Sequence, residues 1–467
     1  MSVKAEKLRR KYFGDAAFYK MAMLVAVPIM IQNGITNFVG LLDNIMVGSV
    51  GTLQMSGVGI ANQLLMVFNL TIFGAISGAG IFGAQFYGKG DTNGVRNAFR
   101  FKLMIGAFIL LVGVLVFTML DEPLIRVYLT GEGDAADIEA TMGYAKEYLH
   151  IILFSLVPFV LAQCYSGTLR ECGQTVVPMV AGIVSVCVNL CFNALLIYGL
   201  LGFPALGSRG AALATMIARY VEAAIVIVWT HRHSLENRFI IGAYRHFGIP
   251  SGLGINILKK TVPLMTNEML WSGGMAMLTA VYSMHGLNVV SAMTISSTLS
   301  NVFNVAFIAM GSAVGIIVGQ LLGAGKVEEA VDTDRKLIVF AVLICFVIGG
   351  AVAVLAPYFP LLYQATEEVS YLASQFIMIS ALCMPICSMA NACYFTLRSG
   401  GKTIITFLFD SCFVCLITLP LAYLLTKCTG ITIIPLYAIC TFIEIFKCII
   451  GYIMIKRGVW IHNIVND

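Results

Sequence analysis

Between Met21 and Phe86 the chain carries one charged side chain, Asp43. An apolar stretch of about 20 residues already matches the hydrocarbon thickness of a bilayer, so a run of this kind points to a membrane rather than to a soluble core. The pattern holds along the whole chain: 59% of residues are hydrophobic, 11% are charged, and the mean hydropathy is +0.90. Apolar stretches lie near 20–48, 56–87, 98–119, 142–169, 175–198, 210–230, 257–284, 291–322, 337–356, 371–397, 403–426 and 432–455. They predict an all-α integral membrane protein of twelve transmembrane helices, helix 1 to helix 12. The basic start MSVKAEKLRRKYFGD lacks an apolar segment ending in a small-residue cleavage site, so helix 1 is expected to direct insertion.

Orientation follows from the basic residues, which cytoplasmic loops retain. Lys4, Lys7, Arg9, Arg10, Lys11, Arg96, Arg100, Lys259, Lys260, Lys456 and Arg457 fall on one side, whereas the loops of the other side carry Arg126, Lys146, Arg209 and Lys427. Both termini are therefore expected in the cytoplasm of a multi-pass protein of the cell (inner) membrane. The net charge of +5 is this asymmetry and calls for no nucleic-acid partner. Of the 13 cysteines nearly all fall inside apolar helices and read as small buried residues; Cys412 and Cys415 form a CxxC in such a setting. The six histidines show no pair at helical spacing, so neither a cofactor nor a structural metal is expected.

The chain repeats itself. Residues 27–90 align with 262–325 without a gap, matching Pro28 to Pro263, Asn69 to Asn304, Gly80 to Gly315, Gln85 to Gln320, Gly88 to Gly323 and Gly90 to Gly325. TLRECGQT at 168–175 matches TLRSGGKT at 396–403, and Glu222 falls opposite Glu444. This predicts two pseudo-symmetric six-helix bundles, 1–230 and 257–467, joined by a cytoplasmic linker at 231–256. Six is even, so the copies enter the membrane from the same side and form a parallel repeat, an arrangement suited to alternating access. A major-facilitator carrier has the same helix count, so the repeat alone leaves the family open.

AVPIMIQN and LLDNIMVG in helix 1, SGAGIFGAQFYGKGD closing helix 2, TLRECGQT, NLCFNALLIYG, GAALATMIAR, VGQLLGAGKVEEA and TLRSGGKT occur in an order and spacing that resemble the multidrug and toxic compound extrusion (MATE) transporters over almost the whole chain. The resemblance implies a V-shaped pair of six-helix bundles. It also implies a secondary antiporter, not an enzyme, that exports small organic, often cationic, compounds in exchange for sodium ions or protons. Such a carrier works as a monomer among membrane lipids. The alternatives are a lipid or polysaccharide flippase of related exporters and, in another class, an uncoupled channel or receptor.

Carboxylates inside a membrane are costly and are functional candidates by default. On helix 1, Asn33, Thr36, Asn37, Gly40, Asp43 and Asn44 recur at spacings of three and four, one polar stripe on an apolar helix. Proton uptake or cation binding is how a lone acid there loses its charge. Family members carry an aspartate at the position matched by Asp43, with a role in ion coupling and substrate release. Ser185, Asn189 and Asn193 share one face of helix 5 at i, i+4 spacing. Their amides suit a sodium ion or a hydrogen-bond network, or equally an interhelical contact. By the resemblance this face and Thr215 lie near Asp43, and some members have an acid in place of Asn193.

Glu268 opens the second copy, and its face continues through Trp271, Met275 and Tyr282, a combination suited to a flat organic cation. Asp43 and Glu268 are thus the two places where a coupling sodium is expected. The sodium-driven members pair a glutamate at the position of Glu268 with an aspartate in helix 10, but residues 371–397 hold no acid; Asp410 in helix 11 is the partial substitute. Glu222 and Glu444, each with a base three residues away (Arg219, Lys447), read as structural pairs. Asp43 and Glu268 have Leu278 and Asn33 at their repeat positions, an asymmetry that marks specialisation. GKGD at 88–91 fits the intramembrane aspartyl protease pattern, but the glycines recur before Lys326 and read as a turn. The topology is testable in a cysteine-free background: an impermeant thiol reagent added outside should label Glu132→Cys and not Glu236→Cys, and the opposite pattern would reverse the orientation.

Overall fold

The computed structural model describes residues 6, 11–129, 135–246, 248–363 and 365–466, the side chains of residues 39, 41, 44 and 135 excepted. Lys4, Lys7, Arg9, Arg10, residues 130–134 and the Asn44 side chain lie outside the described residues. The long helices are α1 (Ala16–Gly48), α2 (Thr52–Lys89), α3 (Thr92–Met119), α4 (Ala135–Glu171), α5 (Val176–Tyr198), α6 (Ser208–Arg232), α7 (Ser251–Ser283), α8 (Leu287–Gly323), α9 (Val327–Leu355), α10 (Glu367–Ser399), α11 (Thr403–Cys428) and α12 (Ile433–Lys456). Among the described residues there is no strand.

By length and composition, 11 helices are apolar enough to cross a membrane among the described residues. The exception is α7. It is 33 residues long, but Thr266, Asn267, Glu268, Ser272, Gly273 and Gly274 dilute its apolar surface. The expectation of one regular helix near 403–426 is corrected: α11 breaks at Asp410 after Thr403–Phe409, continues through Ser411–Phe413, widens into a π-turn over Val414–Thr418 and ends as Leu419–Cys428. α12 is likewise interrupted at Ile443. Cys412 and Cys415 flank the start of the π-turn as free thiols.

The chain divides into two compact units. One holds the start of α1 through Met30, residues 84–91 and everything from Val262 onward; the other holds Ile31–Gly83 and Thr92–Thr261. In the second, α4 and α5 pack on α6 and α3 packs on α4, with Lys102 and Glu171 buried between them. Lys102 Nζ donates to both Glu171 oxygens (2.7 and 2.6 Å) and to Thr168 Oγ1 (3.0 Å). The carboxylate needs room: a Cβ on Gly80 or Gly83 would come within 2.4 or 2.1 Å of it. Arg96 and Arg100 donate to the carbonyls of Arg238, Phe239, Gly242 and Ala243, so the segment after α6 is tied to α3.

In the other unit α10 packs on α8, α9 and α12. The repeat is visible in how helices stop. After α2, Gly90 (φ 78°) and Asp91 return hydrogen bonds to Tyr87 O and Phe86 O; after α8, Gly325 (φ 74°) and Lys326 do the same to Leu322 O and Leu321 O. A left-handed residue is needed to end a helix this way, and glycine adopts it without strain. GKGD is therefore a helix terminus. One turn earlier the backbones touch: a Cβ on Gly88 would lie 1.9 Å from Gln320 O, and one on Gly323 1.9 Å from Gln85 O. Gln85, fully buried, donates to Ser399 O (2.9 Å) and His462 O (3.2 Å) and accepts from Ile464 N (2.9 Å), which fixes the C-terminal segment over this crossing.

Gly323→Val should therefore lower the thermal midpoint in detergent, since overpacking costs about 1–3 kcal/mol. Gly59→Ala, where a Cβ meets nothing within 4 Å, should leave it unchanged. Equal melting of the two variants would mean that the crossing is loose.

Candidate functional site

The stripe on α1 is partly open. Asn33 is half-buried, Thr36, Asn37 and Gly40 are exposed, and a Cβ on Gly40 would meet nothing within 4 Å. Thr36 Oγ1 donates to Gln32 O (2.8 Å), which settles its hydroxyl within the helix. Asp43, further along, is half-buried and leaves that open stretch for a wall of amides.

Asn193 Nδ2 on α5 donates to Asp43 Oδ1 at 2.5 Å, and also to Asn189 Oδ1 at 3.1 Å. Asn189 Nδ2 donates to Thr215 Oγ1 on α6 (3.2 Å). The four residues named from sequence, Asp43, Asn189, Asn193 and Thr215, thus form one chain of hydrogen bonds. Ser185 does not join it, because its Oγ donates to Ala218 O (2.9 Å) and so braces α5 against α6. The i, i+4 pattern placed all three side chains on one face; reaching Asp43 depends on depth.

With its amide nitrogen toward α1, Asn189 donates to both Asp43 oxygens (2.9 and 3.3 Å) and accepts from Thr215 Oγ1 (3.2 Å), so that its own amide oxygen does not face the carboxylate. Asn193 Oδ1, buried and without a hydrogen-bond partner, is a further acceptor in the same place. Sequence reasoning missed two neighbours: Tyr148 on α4, buried beside Thr215, and Arg219, which adds positive potential at Asp43 while ion-paired to Glu222 (2.8 Å) and lying over Phe159 at 5.2 Å.

A second polar cluster surrounds the middle of α7. Asn267 Nδ2 donates to Asp410 Oδ2 (3.2 Å) and to Tyr394 Oη (3.3 Å), and Tyr394 Oη donates to Glu268 Oε1 (3.4 Å). Asn267 Oδ1 accepts from Ser411 N (3.3 Å) and Ser411 Oγ (2.7 Å), so this side chain satisfies an amide freed by the break in α11. Asp410, the expected partial substitute for an acid in helix 10, is ion-paired: Lys447 Nζ donates to Asp410 Oδ1 at 3.0 Å. Lys447 also pairs with Glu444 (3.1 Å), as the i, i+3 spacing predicted. Arg219–Glu222 and Lys447–Glu444 are thus both formed, but the second base serves two acids.

The face drawn through Glu268 is corrected at its far end. Trp271 is half-buried and Met275 is 39% exposed, but Tyr282 is 4% exposed in a core with Leu278, Phe376 and Tyr437. Its ring stands 5.6 Å from that of Tyr437. Helical spacing cannot tell an aromatic that lines a path from one that fills a core. No group of three His, Cys, Asp or Glu among the described residues is placed to hold a metal ion.

An all-helical chain with hydrogen-bonded carboxylates inside its apolar helices has the makings of a membrane carrier, and the comparisons place it. The MatE family model matches residues 28–195 and 263–424, the two stretches opening on Pro28 and Pro263 of the internal repeat. The chain belongs to the MatE family; it is a multi-pass membrane transporter, not an enzyme. It is 26% identical over 422 residues to a probable multidrug resistance protein NorM of Thermotoga maritima, covering 87% of this chain and 86% of that one. It is 24% identical over 451 residues to a probable multidrug resistance protein YoeA of Bacillus subtilis, covering 94% and 93%. A solved structure described as the outward-facing conformation of a multidrug resistance MATE family transporter of the MOP superfamily shares the fold with TM-score 0.84 at 18% identity, over 96% of this chain and 97% of that one.

Thr215→Val keeps the shape of the side chain and removes the hydroxyl that orders Asn189. A hydrogen bond of this kind contributes about 1 kcal/mol, so a cation that binds at Asp43 should be held roughly fivefold more weakly. The check is the ion concentration giving half-maximal exchange in liposomes; an unchanged value would place Thr215 outside the ion site.

Proposed function

We propose that the protein is a secondary antiporter that exports small organic compounds, chiefly cations, in exchange for sodium ions or protons. Asp43 carries the coupling ion with Asn189, Asn193 and Thr215; Glu268, with Trp271 and Met275, offers substrate a cation-binding surface in one unit, and Asn33 and Asn37 offer it polar contacts in the other. The supporting observation is the pairing at Asp43: a carboxylate on an otherwise apolar helix is met by the amides of Asn193 and Asn189 and not by a base. A base would hold the charge permanently. Neutral amides leave it exchangeable.

The same reading takes residues 1–230 and 257–467 as the two halves that move, 231–256 as the cytoplasmic linker, and both termini as cytoplasmic. The multidrug resistance proteins of Thermotoga maritima and Bacillus subtilis support organic substrates for this chain. One small substrate at a time and one exchanged ion require no partner protein, so the transporter is taken as a monomer.

The test is Asp43→Asn in liposomes, against imposed sodium and proton gradients in turn. Gradient-driven dye exchange should be lost while the purified protein melts at or above the parental temperature, since neutralising an acid inside the membrane removes a cost on the order of 2.5–3.5 kcal/mol on insertion scales. Parental exchange by Asp43→Asn with either ion would remove Asp43 from coupling.

A further inference from the structure

The neighbourhood of Glu268 contains a base whose position has a consequence for substrate choice, on the reading that substrate reaches Glu268. Lys447 is 4% exposed. Its ammonium lies 3.0 Å from Asp410 Oδ1, 3.1 Å from Glu444 Oε1 and 5.4 Å from the centre of the Phe413 ring. Two carboxylates and an aromatic face hold it from three directions, so its charge is anchored. The acids remain more open than the base: their side chains are 24% and 22% exposed, that of Lys447 6%. A cation approaching from outside the cluster meets carboxylate edges.

The triad is joined to Glu268 through Asp410, Asn267 and Tyr394. It also sits where both helices are interrupted, α11 at Asp410 and α12 just before Glu444. A pair that only braced two helices would need no interruption in either. The counterpart in the first copy is a simple pair of Arg219 with Glu222. With Glu268, Asp410 and Glu444 ionised, Lys447 cancels one of the three charges. Arg398, stacked on Tyr394 and Phe395 at 5.9 and 5.2 Å, cancels a second. One negative charge is left for a ligand to neutralise.

We propose that Lys447 sets the charge class of the substrate: a tethered cation that makes the Glu268 region accept singly charged organic cations in preference to doubly charged ones. A unit charge ~10 Å away, through an effective dielectric of about 20, changes the affinity for a monocation by roughly tenfold and for a dication by the square of that. The ratio of kcat/KM for a matched pair of aromatic mono- and dications therefore reads the charge of the region. Loss of packing or of folded protein, by contrast, lowers both values together.

In liposomes, Lys447→Met should move this ratio about tenfold toward the dication. Asp410→Asn should move it about tenfold the other way. The double variant Asp410→Asn/Lys447→Met, which removes one charge of each sign, should return it to the parental ratio. If Lys447→Met does not accumulate, Glu444→Gln carries the test with the sign of Asp410→Asn. An unchanged ratio in the single variants, or a double variant that fails to restore it, overturns the role of Lys447. Absence of exchange of either dye by the parent would instead count against the antiporter reading.

Discussion

An ionised carboxylate inside hydrocarbon must be answered by something, and the kind of answer sorts the acids of this protein. Glu171 is met by Lys102, Glu222 by Arg219, and Asp410 with Glu444 by Lys447. Breaking a buried pair of this kind by removing one member costs about 3–5 kcal/mol, so such acids are held in one state. Asp43 accepts from an amide and Glu268 from a tyrosine hydroxyl. Neutral donors stabilise the charge without fixing it. Asp334 also belongs chemically with these, accepting from Thr396 Oγ1 at 2.6 Å, but at 1% exposure it lacks the partly open surroundings of Asp43 and Glu268.

The internal repeat supplies the frame in which these acids differ. Helix termini and close crossings are symmetric because they depend on backbone geometry: Gly90 and Gly325 end their helices in the same way, and Gly88 and Gly323 each admit the backbone of the other copy's glutamine. Side-chain chemistry departs from that symmetry at the polar positions inside the helices. Asp43 corresponds to Leu278, a core residue, and Gln32, which accepts from Arg170 (2.6 Å), corresponds to Asn267, which organises the break in α11. Duplicated backbones thus carry unlike polar interiors.

What could be read from the sequence is what is local or periodic. Apolar runs gave the helices, the glycine pattern gave the termini, and i, i+3 spacing gave Arg219–Glu222 and Lys447–Glu444. The pairing of Lys447 with Asp410 was out of reach because the partners lie on different helices, 37 residues apart. Tyr148 carries no local signal that it lies beside Thr215. Tyr282 was misplaced because its spacing from Glu268 is right for a shared face, whereas its burial is decided by Phe376 and Tyr437 on other helices. The break in α11 was equally hidden, since Phe409 to Cys415 is apolar enough to read as a continuing helix.

That break shows how polar groups in a membrane come to depend on one another. Interrupting a helix frees backbone amides and carbonyls that hydrocarbon cannot satisfy, and each unsatisfied group costs several kcal/mol, on the order of the helix's own advantage. Ser411 N is rescued by Asn267 Oδ1, and Ser411 Oγ returns a hydrogen bond to Asn267 O at 2.6 Å. Asn267 in turn holds Asp410, whose charge Lys447 balances. Lys447 also pairs with Glu444. Each member is stabilised by the next, so Asn267, Asp410, Lys447 and Glu444 act as one unit, and a ligand that brings a charge of its own is felt by all of them.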